Sequence, residues 1–261
     1  MWGEGRDLTV RVDVVTAVHA GHAGFLPEAW RSLRRQTHPA WRWLVQADGP
    51  PEEARAALAA CGAAADPRVS FACHATAEGP AVARNIALAR ATAPLIQNVD
   101  ADDELEPDAL TALAGALAAH PSAGYAVGHA RDLTPDGALH DHPLPLAPGP
   151  IPRGALLAAW RTAPAEYRVP VHPAGVMWRR SLLHLLGGWS ALHGMEDTGL
   201  LMAASATTEG VLLDIPTLRY RRHPAQISRQ PSEFSGEGHQ IALIHARAAA
   251  LTALHPRAAW P

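Results

Sequence analysis

Pro94-Leu95-Ile96-Gln97-Asn98-Val99 runs without a break into Asp100-Ala101-Asp102-Asp103. An apolar hexapeptide of this length reads as a buried strand, and it ends directly on three carboxylates. Upstream, Pro80 sits where a first-turn proline opens a helix, and that helix extends to about Ala91. Before it come a strand at Val69 to Ala72, a helix at Glu52 to Ala60, and a strand at Trp41 to Ala47. The last of these is closed by the turn Asp48-Gly49-Pro50-Pro51. Leu26, Trp30 and Leu33 recur at helical spacing with Arg31, Arg34 and Arg35 between them, so a surface helix precedes that strand. The Val-rich stretch Val10 to Val18 is the first buried strand. Strand and helix alternating in this way predict an α/β protein with a parallel, doubly wound sheet. Ligands of such sheets bind beyond the carboxyl ends of the strands, which here means Ala17 to Ala20, Asp48 and Asp100 to Asp103.

Downstream the pattern is less regular. Pro107 to Ala119 predicts a helix, Gly124 to Ala130 a strand, and the Pro-, Gly- and His-rich stretch Pro135 to Pro152 a loop. Trp178 to Leu186, Asp197 to Ala206 and Gln240 to Leu254 read as helices, and Val211 to Ile215 as a strand. There is no repeat and no linker, so one composite domain is expected.

Composition narrows the chemistry. The 261 residues carry 22 cationic side chains against 25 carboxylates, a net charge of −3. That balance argues against nucleic acid as a partner, because non-specific binding needs a basic face. All 22 cations are Arg. Without Lys, a Schiff-base enzyme, a Walker-type phosphate loop and a Lys general base are excluded. The 15 His should reverse the sign of the net charge in mild acid. Cys61 and Cys73 are too few for a disulfide scaffold or zinc cluster and read as reduced thiols. Met1 to Arg11 lacks a signal-peptide apolar run, and no stretch is long and apolar enough to span a membrane, so a cytoplasmic protein is expected.

Three carboxylates within four residues repel one another, and a hard divalent cation such as Mg²⁺ or Mn²⁺ relieves that repulsion. The alternative is an acidic cap for the helix near Pro107. A second pair, Glu196-Asp197, follows Gly187-Gly188-Trp189 and opens a helical run. It is either another helix N-terminus or a general base set apart from a metal-bound leaving group. Arg221-Arg222-His223 offers a phosphate clamp and a metal ligand, or else a solvated basic edge.

These residues together resemble family 2 glycosyltransferases of the GT-A fold, over about Val12 to Ser228. Ser32-Leu33-Arg34-Arg35-Gln36-Thr37 with Trp41 resembles the family's "SL-x-x-QT…W" stretch, and Ala83-Arg84-Asn85 its "ARN". Asp100-Ala101-Asp102-Asp103, followed by Pro107-Asp108, is similar to its "DADD" form of the DxD motif. Gly194-Met195-Glu196-Asp197 is similar to "G-x-ED", and Tyr220-Arg221-Arg222-His223 with Gln226 and Ser228 to the "YRxH…S" tail.

The resemblance implies a GT-A, Rossmann-like doubly wound mixed sheet flanked by helices. It implies a nucleotide-sugar-binding half at 8–104, an acceptor-binding and catalytic half at 105–235, and a C-terminal helix and tail at 236–261. The activity it implies is metal-dependent, inverting sugar transfer from a nucleotide-diphosphate sugar to an acceptor hydroxyl on a small molecule or glycan. Ala17 and His19 would lie against the nucleotide, Asp48 would bond the base, and Arg84, Ala101 and Arg222 would help hold the donor. Asp100 would contact ribose or metal, Asp102 would ligate Mn²⁺ or Mg²⁺, and His223 would sit near phosphates or metal. Asp197, paired with Glu196, would be the catalytic base. An Asp at position 48 favours a UDP-sugar.

Two places depart from the family pattern. His19-Ala20 replaces the usual aromatic and Asn, and Ala47-Asp48-Gly49-Pro50 keeps only the second Asp of "DDGS". Trp178 and Trp189 are either sugar-stacking platforms or core. His140-Asp141-His142 reads as a solvated loop, a flap over the acceptor at most, and Ser228 to Gly238 as a lid ordered by nucleotide. The tail helix docks on the domain or on a second subunit, which leaves a homodimer open. Other readings are a catalytically silent nucleotide-sugar scaffold and a sugar nucleotidyltransferase. Ala17 to Gly24 lacks the Arg or Lys that the latter's phosphate loop carries.

Overall fold

The structure is a computed structural model that describes residues 10–144, 146–160, 162, 168–226 and 237–254. The first half follows the sequence pattern closely. It runs β1 (Val12–Val18), α1 (Leu26–Arg34), β2 (Trp41–Asp48), α2 (Glu52–Ala60), β3 (Val69–His74), α3 (Pro80–Ala89) and β4 (Leu95–Asn98). Strands β3, β2, β1 and β4 lie side by side and all parallel. Alternate residues of β1 feed two cores, Val12 and Val14 on one face and Val15 on the other. A stack of Trp30 on Trp43, with centroids 5.9 Å apart, fills the first core. Buried Asp13 pins the entry to β4 by accepting from Arg42 and from the amides of Thr92 and Ala93. Burial alone would raise its pKa, but those donors reverse the effect and hold it below the usual carboxylate range.

The second half corrects several expectations. It comprises β5 (Glu104–Leu105), α4 (Ala109–Ala119), β6 (Ala123–Leu133), β7 (Leu139–Asp141), β8 (Gly149–Ile151), α5 (Ala155–Ala159), β9 (Met177–Arg179), α6 (Arg180–Leu186), α7 (Glu196–Thr207), β10 (Glu209–Arg221) and α8 (Glu237–Ala253). Trp178 is not helical but sits in β9, antiparallel between β4 and β6, with its indole donating to Asn98 Oδ1 at 3.0 Å. Its spacing to Leu182 and Leu186 imitates a helix, while the strand register that claims it comes from residues far away in sequence. It is core, not a sugar platform.

The strand expected at Val211 to Ile215 continues past Pro216 to Arg221. Register shifts on either side of Pro216 absorb the missing N–H, so the proline bends the strand without ending it. The expected loop at Pro135 to Pro152 contains β7 and β8, short edge pieces paired to β6 and β10.

Because β9 bridges β4 and β6, the strands form one mixed sheet in the order β3-β2-β1-β4-β9-β6-β10-β5. Helices flank it and the chain forms a single domain. Helix α8 packs on α7 through Ile244, and Arg247 donates to the carbonyl of Leu186 at 2.5 Å. Among the described residues no helix is long and apolar enough to cross a membrane.

Candidate functional site

The carboxyl ends of β1 and β4, the N-terminal turns of α3 and α7 and the far end of β10 carry two side-chain clusters. The first is built on Arg84, one turn into α3 and almost fully buried. Its guanidinium donates to Asp100 Oδ1 at 2.6 Å and Glu196 Oε1 at 3.0 Å, and pairs with Asp197 Oδ2 at 3.2 Å. The strand-end carboxylate and the distant acidic pair therefore meet on one cation. Burial works against the Arg84 charge, and Asp197, Asp100 and Glu196 more than offset it.

Asp197 occupies the first turn of α7. Burial raises its pKa to about 7; Arg84 pulls the other way, while Glu196 and Asp100 add repulsion. A carboxyl poised near neutrality at the end of a sheet is a candidate proton acceptor. Trp189 holds its other oxygen, the indole Nε1 donating to Asp197 Oδ1 at 2.7 Å. Asn85 in turn clamps Trp189, donating to its carbonyl at 2.8 Å and accepting from its amide at 2.9 Å. Gly188 lies beneath this clamp at φ 70°, where a side chain would collide with Asn85 Oδ1.

Replacing Trp189 by Phe keeps a packed ring but removes the N–H that stabilises the charged carboxylate. The Asp197 pKa should then rise by about one unit, the worth of a hydrogen bond to a charged group. A carbon-13 NMR titration of the Asp197 carboxyl checks this, and an unmoved midpoint would show that the indole bond has no electrostatic effect.

The second cluster joins Asp102, His22 and His223. His223 Nε2 lies 2.8 Å from Asp102 Oδ2, and His22 Nδ1 lies 3.9 Å from the same oxygen. One atom from each falls within 4.8 Å of the others. His22 comes from the 3-10 turn Ala20–Phe25 that follows β1. Its Nε2 lies 3.3 Å from the carbonyl of Ala225, so that nitrogen carries the ring proton and Nδ1 keeps its lone pair. One carboxylate oxygen and two imidazole nitrogens form a donor set that fits a divalent ion. Phe25 packs on His223 at 4.7 Å, and His19 packs on His22 at 4.2 Å. Burial and the neighbouring His22 lower the His19 pKa, with Asp48 and Asp102 opposing.

Other expected site residues have distinct placements. Asp100 turns to Arg84 and is not in the His22–Asp102–His223 group. Ala101 is buried in the core between two partly exposed carboxylates, and Ala17 is half-buried in β1. Asp48 accepts from His74 Nε2 at 3.0 Å and from the amides of Glu78 and Gly79 at 2.7 and 3.0 Å, fixing the loop that leads into α3. Arg222 donates to Asp132 at 2.8 Å. The side chains of the 140–142 triplet diverge, His142 to Asp132 and Asp141 to Arg131. The lid expected over Ser228 to Gly238 lies outside the described residues apart from Glu237 and Gly238, which open α8.

Sequence reasoning missed His22, although a His19-x-x-His22 pair just past a strand was a signal. It also missed the indole bond to Asp197, for which the sequence holds no local sign.

Comparison with solved structures places the fold. S. aureus TarS residues 1–349 in complex with UDP-GlcNAc superposes with a TM-score of 0.71 at 16% identity, covering 91% of this chain and 66% of that one. The same fragment with UDP gives 0.67 at 17% identity, covering 90% of this chain and 65% of that one. The mannosyltransferase PcManGT from Pyrobaculum calidifontis, in complex with GDP-Man and Mn²⁺, gives 0.57 at 18% identity, over 95% and 75%. The chain thus spans about two thirds of the TarS fragments it matches. No curated protein sequence matches it significantly. The family described as "Glycosyl transferase family 2" matches residues 13–183. With well over half of its length so matched, and the sheet and clusters arranged as above, the chain belongs to glycosyl transferase family 2.

Proposed function

We propose that the protein transfers a sugar from a nucleotide-diphosphate sugar, UDP-linked in preference, to an acceptor hydroxyl by a single inverting displacement. The observation that carries this reading is Arg84 tying Asp100, from the strand-end motif, to Asp197. It sets a base with a near-neutral pKa beside the end of the sheet where the donor binds. The solved neighbours support the donor class, since their complexes contain UDP, UDP-GlcNAc or GDP-Man.

In this scheme residues 8–104 hold the donor and 105–235 the acceptor and the base. Asp48 uses three of about four carboxylate lone-pair directions on the end of β3 and the loop into α3, leaving one for a base N–H such as that of uracil. Asp197 takes the proton of the acceptor hydroxyl. That oxygen bonds to the anomeric carbon from the face opposite the leaving group, the bond to the diphosphate breaks, and its electron pair leaves with the phosphate. Arg84 and Trp189 hold the two Asp197 oxygens during this transfer. His22, Asp102 and His223 would hold a divalent cation, which when bound would supply positive charge to offset that of the departing diphosphate. The free thiols Cys61 and Cys73 suit a reducing, cytoplasmic setting.

The test is a thermal-shift panel of UDP, GDP, dTDP and CDP, each with and without Mn²⁺. UDP with Mn²⁺ at about 100 times its Kd should add about 2.7 kcal/mol, a rise of several degrees in Tm. A flat panel would remove the nucleotide-sugar reading. Nucleotide binding without transfer to any of a broad acceptor panel would favour a silent scaffold.

A further inference from the structure

We propose that the cavity of about 430 Å³ between β6, residues 142–144 and residues 168–173 binds an anionic oxygen group, carboxylate or phosphate, carried by the acceptor. This rests on the transfer reading above and names the substrate class it leaves open. The volume lies in the range of small-molecule sites.

Among the described residues every ionisable side chain lining the cavity is Arg or His: His129, His142, Arg168, His172 and Arg222. Leu144, Val169 and Val171 supply apolar wall. Asp132 sits behind the lining, where it takes Arg222 at 2.8 Å and His142 at 3.2 Å and so balances one cation. Arg168 donates to the carbonyl of Pro143 at 3.1 Å and has no carboxylate partner among the described residues. Among the described residues no carboxylate lines the cavity: Asp214, which is not part of the lining, pairs with His129 at 3.3 Å, and the Arg168 guanidinium is left without a carboxylate partner there.

His172 adds a neutral donor. Burial pushes its pKa down to about 4, with Asp100 and Asp132 opposing and Arg222 and His142 reinforcing the fall. Its Nδ1 accepts from the Ala174 amide at 3.4 Å, so Nε2 carries the proton.

The cavity adjoins the catalytic end of the sheet. Arg222 immediately precedes His223, which bonds Asp102. The carbonyl of Pro173 takes the Asn98 side-chain amide at 3.4 Å, two residues before Asp100. All lining residues belong to the half assigned to the acceptor. A cluster of Arg and His donors with no lining carboxylate among the described residues, backed by apolar wall, selects a ligand with an anionic end and an apolar body.

The experiment measures binding of 4-hydroxybenzoate, 4-hydroxyphenyl phosphate and neutral 4-hydroxybenzamide by calorimetry, to the full chain with saturating UDP and Mn²⁺. At least one anion should bind while the amide does not; comparing the two anions distinguishes carboxylate from phosphate. Arg168→Gln should weaken that binding about tenfold or more while leaving the UDP–Mn²⁺ thermal shift unchanged, which also shows the variant is folded. Equal binding of the amide, binding of no anion, or an unaffected Arg168→Gln variant overturns the proposal. In a parallel titration without nucleotide, an anion that binds there but not beside saturating UDP assigns the cavity to the donor diphosphate and overturns the acceptor assignment. If anions bind but no nucleotide shifts the Tm, the transfer reading fails, and the acceptor assignment falls with it.

Discussion

Asp197→Asn is expected to lower sugar transfer by about a thousandfold and to leave the UDP–Mn²⁺ thermal shift intact. A general base contributes about 10²- to 10⁴-fold, and Asn keeps the size of the side chain while losing the ability to take a proton. The residue it replaces stands between two donors, Trp189 on one oxygen and Arg84 on the other. Asn can accept on only one side, so the loss is confined to this cluster and does not reach the Asp102 group. Assays of transfer and of nucleotide binding on the same preparation separate the two effects. Retained transfer would move the base to another residue, Glu196 first.

The same carboxyl should set the pH dependence. Because burial raises the Asp197 pKa to about 7, the wild-type rate should climb as pH rises through neutrality and the base ionises. Stability moves in the opposite direction. The folded state keeps this proton more tightly than the unfolded chain, so the Asp197 contribution to stability falls as pH rises from the ordinary carboxylate range to about 7. In Asp197→Asn that part of the decline in Tm should be missing.

The second large effect belongs to Asp102→Ala, which should weaken Mn²⁺-dependent nucleotide binding at least about a hundredfold, the scale on which disturbed metal sites lose affinity. Asp102 supplies the single anionic oxygen of its group, and the two imidazoles alone make a poor site for a hard cation. The fold should survive, because Asp103, not Asp102, holds the amide of Arg221 at 2.9 Å and thereby fastens the strand-end turn to β10. Asp102→Asn, which preserves the side-chain volume, provides the control for packing. Electron-paramagnetic titration with Mn²⁺ alone reads the site without nucleotide. Unchanged Mn²⁺ affinity would leave the cluster as a hydrogen-bonded cap on the β4 turn.

The two clusters differ in how far the sequence reveals them. Asp100, Asp102, Glu196 and Asp197 are visible because carboxylates crowd at a strand end and at a helix start, which are local patterns. His22 is less visible: it resembles any surface histidine until the 3-10 turn brings it to Asp102. The bond from Trp189 to Asp197 joins residues only eight apart, yet it depends on Asn85, more than a hundred residues earlier, to hold the turn.

The linear chain was sufficient for the order and type of the first seven elements, β1 to β4 with α1 to α3. Their signals are alternation of two, a period of 3.6 and turn chemistry, all completed within a dozen residues. Their parallel pairing follows, since each strand must cross over through a helix. The chain was also sufficient to place acidic chemistry at the end of β4 and to exclude every mechanism that needs lysine.

Tertiary structure alone decided the rest. It inserted β9 antiparallel between β4 and β6, carried β10 through Pro216, and gave Asp100 to Arg84 instead of to the His22–Asp102–His223 group. Each of these depends on pairing, burial or charge supplied by residues distant in sequence, and no local pattern encodes a partner that is not local.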